Sequence, residues 1–267
     1  MLELQSIAGD RTLWCRHEIK YLVSEAQAAA ITEYIRPLMQ MDRHGEFKED
    51  GYYPISSLYM DSEDLKLCRE TREGKLTRFK LRIRGYNDEP DYPKFFEIKR
   101  RINRVIVKSR ARVMENSVAP LVTGMERPPL GKGKEHRALE QFLYYMTYLN
   151  AKPIVRVRYL RQAFEDPLEG TVRITFDRDL CGNITQTPNL RLDGDGWYRI
   201  PMHNYLILEI KFTGRFPAWL TRMIQFFGLR QRSVSKYALC VQQGCVLGYC
   251  APIRNYTERY SWNNSGR

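Results

Sequence analysis

TRFKLRIRGYN, residues 77–87, alternates without a break. Phe79, Leu81 and Ile83 fall on one side, and Arg78, Lys80, Arg82, Arg84 and Tyr86 fall on the other. A period of two marks a β-strand with one buried face. The second face carries the information. Solvent faces interleave lysine with acids, threonine, serine and glutamine, whereas this one holds four cations, a tyrosine and no acid. Two unit charges about 6 Å apart repel by about 3 kcal/mol at an effective dielectric near 20. Strand stability does not call for such a row. A polyanion offsets it, because each phosphate accepts several charge-assisted hydrogen bonds from Arg or Lys.

The same pattern spreads outward. KFFEIKRRI (94–102) sets Glu97, Lys99 and Arg101 against Phe96, Ile98 and Ile102, and RVIVKSRARV (104–113) returns with Lys108, Arg110 and Arg112 on one face, Asn103 supplying a tight turn between the two. Strands are also predicted at 16–23, 53–62, 153–165, 171–180 and 205–212. That makes about eight, mostly antiparallel by their spacing, which is the number at which a sheet closes into a small barrel. Helices are predicted at 24–40, 63–74, 135–151, 216–228 and 233–244. The first has Ser24 as N-cap and Gln27 three residues on, a capping box, with Pro37 limiting its length. A Pro/Gly/Lys loop (127–134) and a loop rich in Asp, Gly and Asn (181–204) complete the reading. The expected architecture is α+β: a closed antiparallel eight-stranded barrel with helices between strands and at the C-terminus. A single domain is expected over 1–267, with its core at about 14–245 and a tail at 246–267.

Composition agrees. The 267 residues carry 43 Lys and Arg against 31 Asp and Glu, a net charge of +12, which points to an anionic partner without choosing one. The start, MLELQSIAGDRTLW, lacks a secretory pattern, and no apolar run suffices to span a bilayer, so a cytoplasmic location is expected. Six cysteines without a CxxC pair are read as reduced structural thiols. His17, His44, His136 and His203 share no motif and are read as structural or exposed. The carboxylates among the cations recur in one form, Glu two residues before Lys: Glu18/Lys20, Glu97/Lys99 and Glu209/Lys211. The pleat puts both members on one face. Such a glutamate serves either as an ion-pair partner for neighbouring cations or as an oxygen ligand for Mg²⁺ or Mn²⁺, which bridge one or two carboxylates to substrate phosphates.

RHEIKYLV, SSLYMDS, FKLRIRGY, FFEIKRR, RYLRQAFE, RITFD, LILEIKF and SVSKYALCV stand in the order found in the VTC domain, the catalytic domain of the vacuolar transporter chaperone complex. The chain resembles that family over roughly residues 14 to 245, and through it the CYTH-like triphosphate tunnel metalloenzymes. No single motif is specific; eight in order are. The resemblance implies an eight-stranded antiparallel tunnel and a polyphosphate polymerase. Such an enzyme transfers the γ-phosphoryl of ATP to a growing polyphosphate chain with Mn²⁺ or Mg²⁺. It implies phosphate-binding roles for Lys20, Arg82, Arg84, Lys99, Lys108, Arg161, Arg173 and Lys236, with hydrogen bonds from Tyr159 and Ser235. Lys211, Arg110 and Arg112 follow as further substrate contacts, and Glu209 matches the family's metal ligand, with Glu18 and Glu97 as further candidates.

One position departs from the wider superfamily. Arg16 stands where its Glu-x-Glu-x-Lys motif begins, which weakens metal binding at that end and suits polymerases better than triphosphate hydrolases. Neither an SPX-like region nor a membrane segment is read in the chain, so export of the product would need a separate membrane partner. The alternatives are a metal-dependent triphosphate hydrolase and a non-catalytic polyphosphate or nucleotide sensor. Nucleic acid is not the expected partner: Phe79, Phe96 and Phe176 alternate away from Arg82, Lys99 and Arg173, where strand binders place aromatics among cations. The stretch FPAWLTRMIQFF is expected to pack across a tunnel mouth rather than on a membrane.

Overall fold

The computed structural model describes residues 16–89, 91–103, 105–128, 131–167 and 171–250, with Arg16 described in its backbone alone. The N-terminal lead, most of the expected tail, Cys15 and the side chain of Arg16 lie outside the described residues. In chain order the elements are β1 Arg16–Ser24, α1 Glu25–Ile35, β2 Gln40–Met41, β3 Tyr53–Asp61, α2 Lys66–Arg72, β4 Thr77–Gly85, β5 Lys94–Ile102 and β6 Val105–Val113. There follow α3 Glu115–Thr123, α4 Lys134–Leu149, β7 Lys152–Glu165, β8 Val172–Ile184, β9 Tyr198–Arg199, β10 Tyr205–Thr213, α5 Ala218–Phe226 and α6 Lys236–Val246.

All strand pairs are antiparallel, and eight strands form one path in the order β1-β10-β8-β7-β3-β4-β5-β6. The two-residue strands β2 and β9 flank it on β7 and β8. The sheet curls until its end strands approach, but among the described residues no ladder joins β1 to β6. The closure expected of the barrel is thus not formed as a ladder among the described residues, although Lys99 of β5 reaches the Glu18 carboxylate of β1 at 2.7 Å. An ion pair between long side chains bridges a gap wider than a backbone hydrogen bond can span.

Two apolar clusters coat the outside of the curl. Leu81, Ile83, Phe96, Ile98 and Ala111 of β4–β6 pack under Val118 of α3 and Ala138, Leu139 and Phe142 of α4. Tyr21, Val23, Ile174, Phe176, Leu208 and Ile210 of β1, β8 and β10 pack under α1 and α5. Burying each such large side chain contributes about 1.5–3 kcal/mol. The capping box of α1 forms as expected: Gln27 N–H donates to Ser24 Oγ at 3.2 Å, and Ser24 N–H donates to Gln27 Oε1 at 3.1 Å. The helix α5 covers the outer face of β1, β8 and β10 instead of a tunnel mouth, since Leu220 and Met223 need the apolar side of those strands.

The third cluster lies inside. Tyr237, Ala238, Cys240 and Val241 of α6 pack on the inward residues Tyr53, Ile55, Tyr59, Val155, Val157 and Ile207. Asp61, at the end of β3, anchors this helix. It accepts from Tyr237 O–H at 2.6 Å and from the Leu67 and Cys68 amides, both at 2.9 Å. One end of the interior is thus filled with apolar side chains, and the polar cavity occupies the rest. Among the described residues Cys68, Cys181 and Cys240 are buried and Cys245 and Cys250 half-buried, none of them in a disulfide.

Candidate phosphate-binding site

The cavity measures about 750 Å³. The period-2 rows decide what lines it. From β4 come Lys80, Arg82, Arg84 and, just beyond its end, Tyr86; from β5, Phe95 and Lys99; from β6, Ile106, Lys108, Arg110 and Arg112. The opposite wall supplies Glu18 and Lys20 of β1, Tyr159 and Arg161 of β7, Arg173 of β8, and Glu209 and Lys211 of β10. Ser235 and Lys236 enter from the N-terminus of α6. Of the residues singled out from sequence, Glu97 is the one the structure does not bring to this surface. It is fully buried in the wall, where Arg82 reaches Oε2 at 2.7 Å, Lys108 reaches Oε1 at 2.5 Å and Arg110 lies at 3.4 Å. Burial would raise its carboxyl, but Arg82, Arg84 and Lys108 outweigh that and hold it well below the usual carboxylate range. A carboxylate so surrounded orients its cations.

Charges on the far wall alternate through space. Lys20 Nζ lies 3.3 Å from Glu18 and 3.1 Å from Glu209. Lys236 Nζ bridges Glu209 at 3.0 Å and Asp177 at 2.5 Å. Arg161 clasps Asp177 with two hydrogen bonds, Nε to Oδ1 at 2.6 Å and Nη2 to Oδ2 at 2.8 Å. Lys211 meets Glu209 at 2.9 Å. The register explains the chain of contacts, because Lys20 pairs with Glu209 across β1–β10, and Arg161 pairs with Asp177 across β7–β8. Burial would raise the Glu209 carboxyl, but Lys20, Lys211 and Lys236 hold it well below its ordinary value.

The near wall differs. Lys80 Nζ donates to Ser235 Oγ at 2.9 Å, Arg84 Nε to Ser57 Oγ at 3.3 Å, and Arg84 Nη2 to Tyr159 Oη at 3.2 Å. Among the described residues no carboxylate forms an ion pair with Lys80 or Arg84. Burial, then Lys20 and Lys99, pushes the Lys80 ammonium well below the ordinary 10.5.

Asp177, Asp42 and His44 carry parts of the site that sequence reading did not single out. Asp177 had a visible signal, since RITFD places it on the same strand face as Arg173. Asp42 had none: it sits in a turn after β2, where it accepts from Arg173 at 2.7 Å and from Tyr53 O–H at 2.7 Å. Arg173 also pairs with Glu165. His44 lines the cavity, stacked on Tyr86 at 5.2 Å and 2°.

Thirteen Lys and Arg side chains and four carboxylates line the cavity, and with Glu97 and Asp177 included the cations still exceed the acids by seven. Such an excess suits a compact polyanion with many acceptor oxygens. The oxygen donors fit a divalent ion of the Mg²⁺ or Mn²⁺ type: Glu18 and Glu209 both reach the Lys20 ammonium, so a cation there would find two hard carboxylates. Among the described residues no group of three or more His, Cys, Asp or Glu side chains converges, so phosphate and water oxygens would have to complete the coordination.

A Bacillus halodurans protein described as a candidate adenylate cyclase superposes with a TM-score of 0.48 and 13% identity, covering 83% of this chain and 95% of that one. The Mimivirus capping enzyme triphosphatase gives 0.34 and 9%, covering 79% and 90%. In sequence, vacuolar transporter chaperone complex subunit 4 of Schizosaccharomyces pombe is 24% identical in an alignment 258 residues long that covers 81% of this chain. The match spans 35% of that relative's length. The model of the VTC domain matches residues 15–244, the span that runs from β1 to α6 and holds every residue lining the cavity, and the chain belongs to the VTC domain family.

Proposed function

We propose that the protein is a polyphosphate polymerase that transfers the γ-phosphoryl group of ATP to a growing polyphosphate chain held in the cavity. The observation that carries this reading is the enclosed excess of cations, with the Glu18–Glu209 pair on one wall and, on the other, Lys80 and Arg84 held by hydroxyls rather than by direct ion pairs. Family membership supports it at the level of triphosphate and polyphosphate handling.

Phosphoryl transfer between phosphates asks mainly for positioning and charge stabilisation, because the transition state is loose and its charge sits on oxygens. Arg82, Arg84 and Lys99 cradle the donor triphosphate, held in place by Glu97, Tyr159 and Glu18 respectively. Arg161, Arg173 and Lys236 face them and hold the transferred group and the acceptor end. Lys20, Lys108, Lys211 and the Ser235 hydroxyl extend the cage, with Arg110 and Arg112 toward β6. The nucleophile is a terminal phosphate oxygen, ionised at neutral pH, so a general base is not required. Glu209, with Glu18 beside it, would hold Mn²⁺ or Mg²⁺, which when bound neutralises charge on bridging phosphate oxygens.

Incubation with ATP and Mn²⁺, with products resolved on a gel, tests the reading. A ladder of polyphosphates with ADP is expected, and Glu209→Gln should lower its rate by about 10²-fold or more while triphosphate still binds. Free phosphate without a ladder would turn the reading into a hydrolase. Binding without turnover in the native protein would make it a sensor.

A further inference from the structure

A second cavity, of about 580 Å³, lies outside the sheet where α4 passes β6. Its floor includes Lys108 and Arg110, which also line the tunnel. Its far side is one face of α4: Lys134, Arg137 and Gln141 follow at spacings of three and four. The lining carboxylate, Glu140, is approached by His136 Nε2 at 3.2 Å. The first turn of α4 has no side-chain cap at Gly133, which leaves the positive end of a sixteen-residue helix beside the groove. β6 ends the sheet path and pairs with β5 alone, and its Lys108 and Arg110 line both cavities.

We propose that this groove is a second polyphosphate site, which takes the part of a long chain that lies outside the tunnel. The inference rests on the phosphate-chain reading of the tunnel and adds a path for the polymer. A solvated helix face would have no reason to share two cations with the tunnel. A chain held by Lys108 and Arg110 from within meets Lys134 and Arg137 by crossing the edge of β6. The ligand class is a linear inorganic polyanion. Single-stranded nucleic acid fits less well, since Tyr144 is the groove's one aromatic residue and base stacking asks for several.

The test uses the full chain and two ligands, inorganic tripolyphosphate and polyphosphate of about 100 units, titrated at fixed ionic strength. In Lys134→Ala/Arg137→Ala, whose sites are exposed, the melting temperature should be unchanged and tripolyphosphate affinity should stay within about twofold of wild type, while long-chain affinity falls about tenfold. Equal losses for both ligands, or none for either, would overturn the groove and leave the tunnel intact. A matching loss for single-stranded DNA would overturn its assignment to polyphosphate. Failure of the unmodified protein to bind either phosphate chain would remove the tunnel reading and the groove with it.

Discussion

The two walls of the cavity face each other with opposite electrostatic designs. On the β1, β10 and β8 side, Lys20, Lys211 and Lys236 each sit between or beside Glu18, Glu209 and Asp177, so the wall is satisfied without ligand. On the β4 side, Arg82 is paired with Glu97, but Lys80 and Arg84 on either side of it touch hydroxyls. Buried cations with neutral partners keep most of their desolvation cost. The first wall therefore belongs to the folded structure, and the second is left for an incoming anion to complete. Replacing a cation should do different things on the two sides.

The largest effect is expected from Lys236→Met. It removes a buried partner from Asp177, which is 2% exposed, and from Glu209. Breaking a buried pair from one side costs about 3–5 kcal/mol, here toward the lower end because Arg161 still clasps Asp177. Urea denaturation of the ligand-free protein measures it. A stability unchanged by this substitution would mean that the paired wall is not structural.

Arg84→Met is the counterpart. The free protein should hold its stability to within about 1 kcal/mol, because only two modest hydrogen bonds go and Glu97 keeps its direct pairs with Arg82 and Lys108. Tripolyphosphate affinity should fall about tenfold or more, since charge-assisted bonds to phosphate are lost. Calorimetric titration and melting, run on the same sample, separate the two readouts. If Arg84→Met destabilises as much as Lys236→Met, the contrast between the walls is gone.

Much of this was legible in the sequence because strands report their faces locally. A period of two fixes that Lys80, Arg82 and Arg84 share a side, and the same rule puts Glu209 with Lys211. Which strand stands opposite which is set by long-range pairing, so the Arg161–Asp177 clasp and the burial of Glu97 behind Arg82 could not be read from one segment. The helix α3 was missed because Pro120 sits inside it and breaks the usual pattern. Asp42 and His44 belong to a turn with no period at all, and their position depends on Arg173 and Tyr86 folding against them. The apolar filling by α6 was hidden for a similar reason: Tyr237 and Val241 look like any helix face until Asp61 and Val157 are found beside them.

The smallest expected effect concerns protons and isolates Lys80. In the free protein its ammonium is pushed well below 10.5, by burial first and by Lys20 and Lys99 next, while in the unfolded chain it keeps its ordinary affinity for a proton. Between the lowered value and 10.5 the unfolded state therefore binds more protons, so this residue makes the free protein more stable as pH rises through that window. A phosphate beside Lys80 reverses the preference and favours the charged ammonium. Binding of tripolyphosphate within that window should then be accompanied by proton uptake, visible as a dependence of the binding enthalpy on the ionisation enthalpy of the buffer. Lys80→Met should reduce that uptake and flatten this residue's contribution to the pH dependence of melting. Undiminished uptake in the variant would assign the proton elsewhere in the cage, and the anion-seeking wall would then reduce to Arg84.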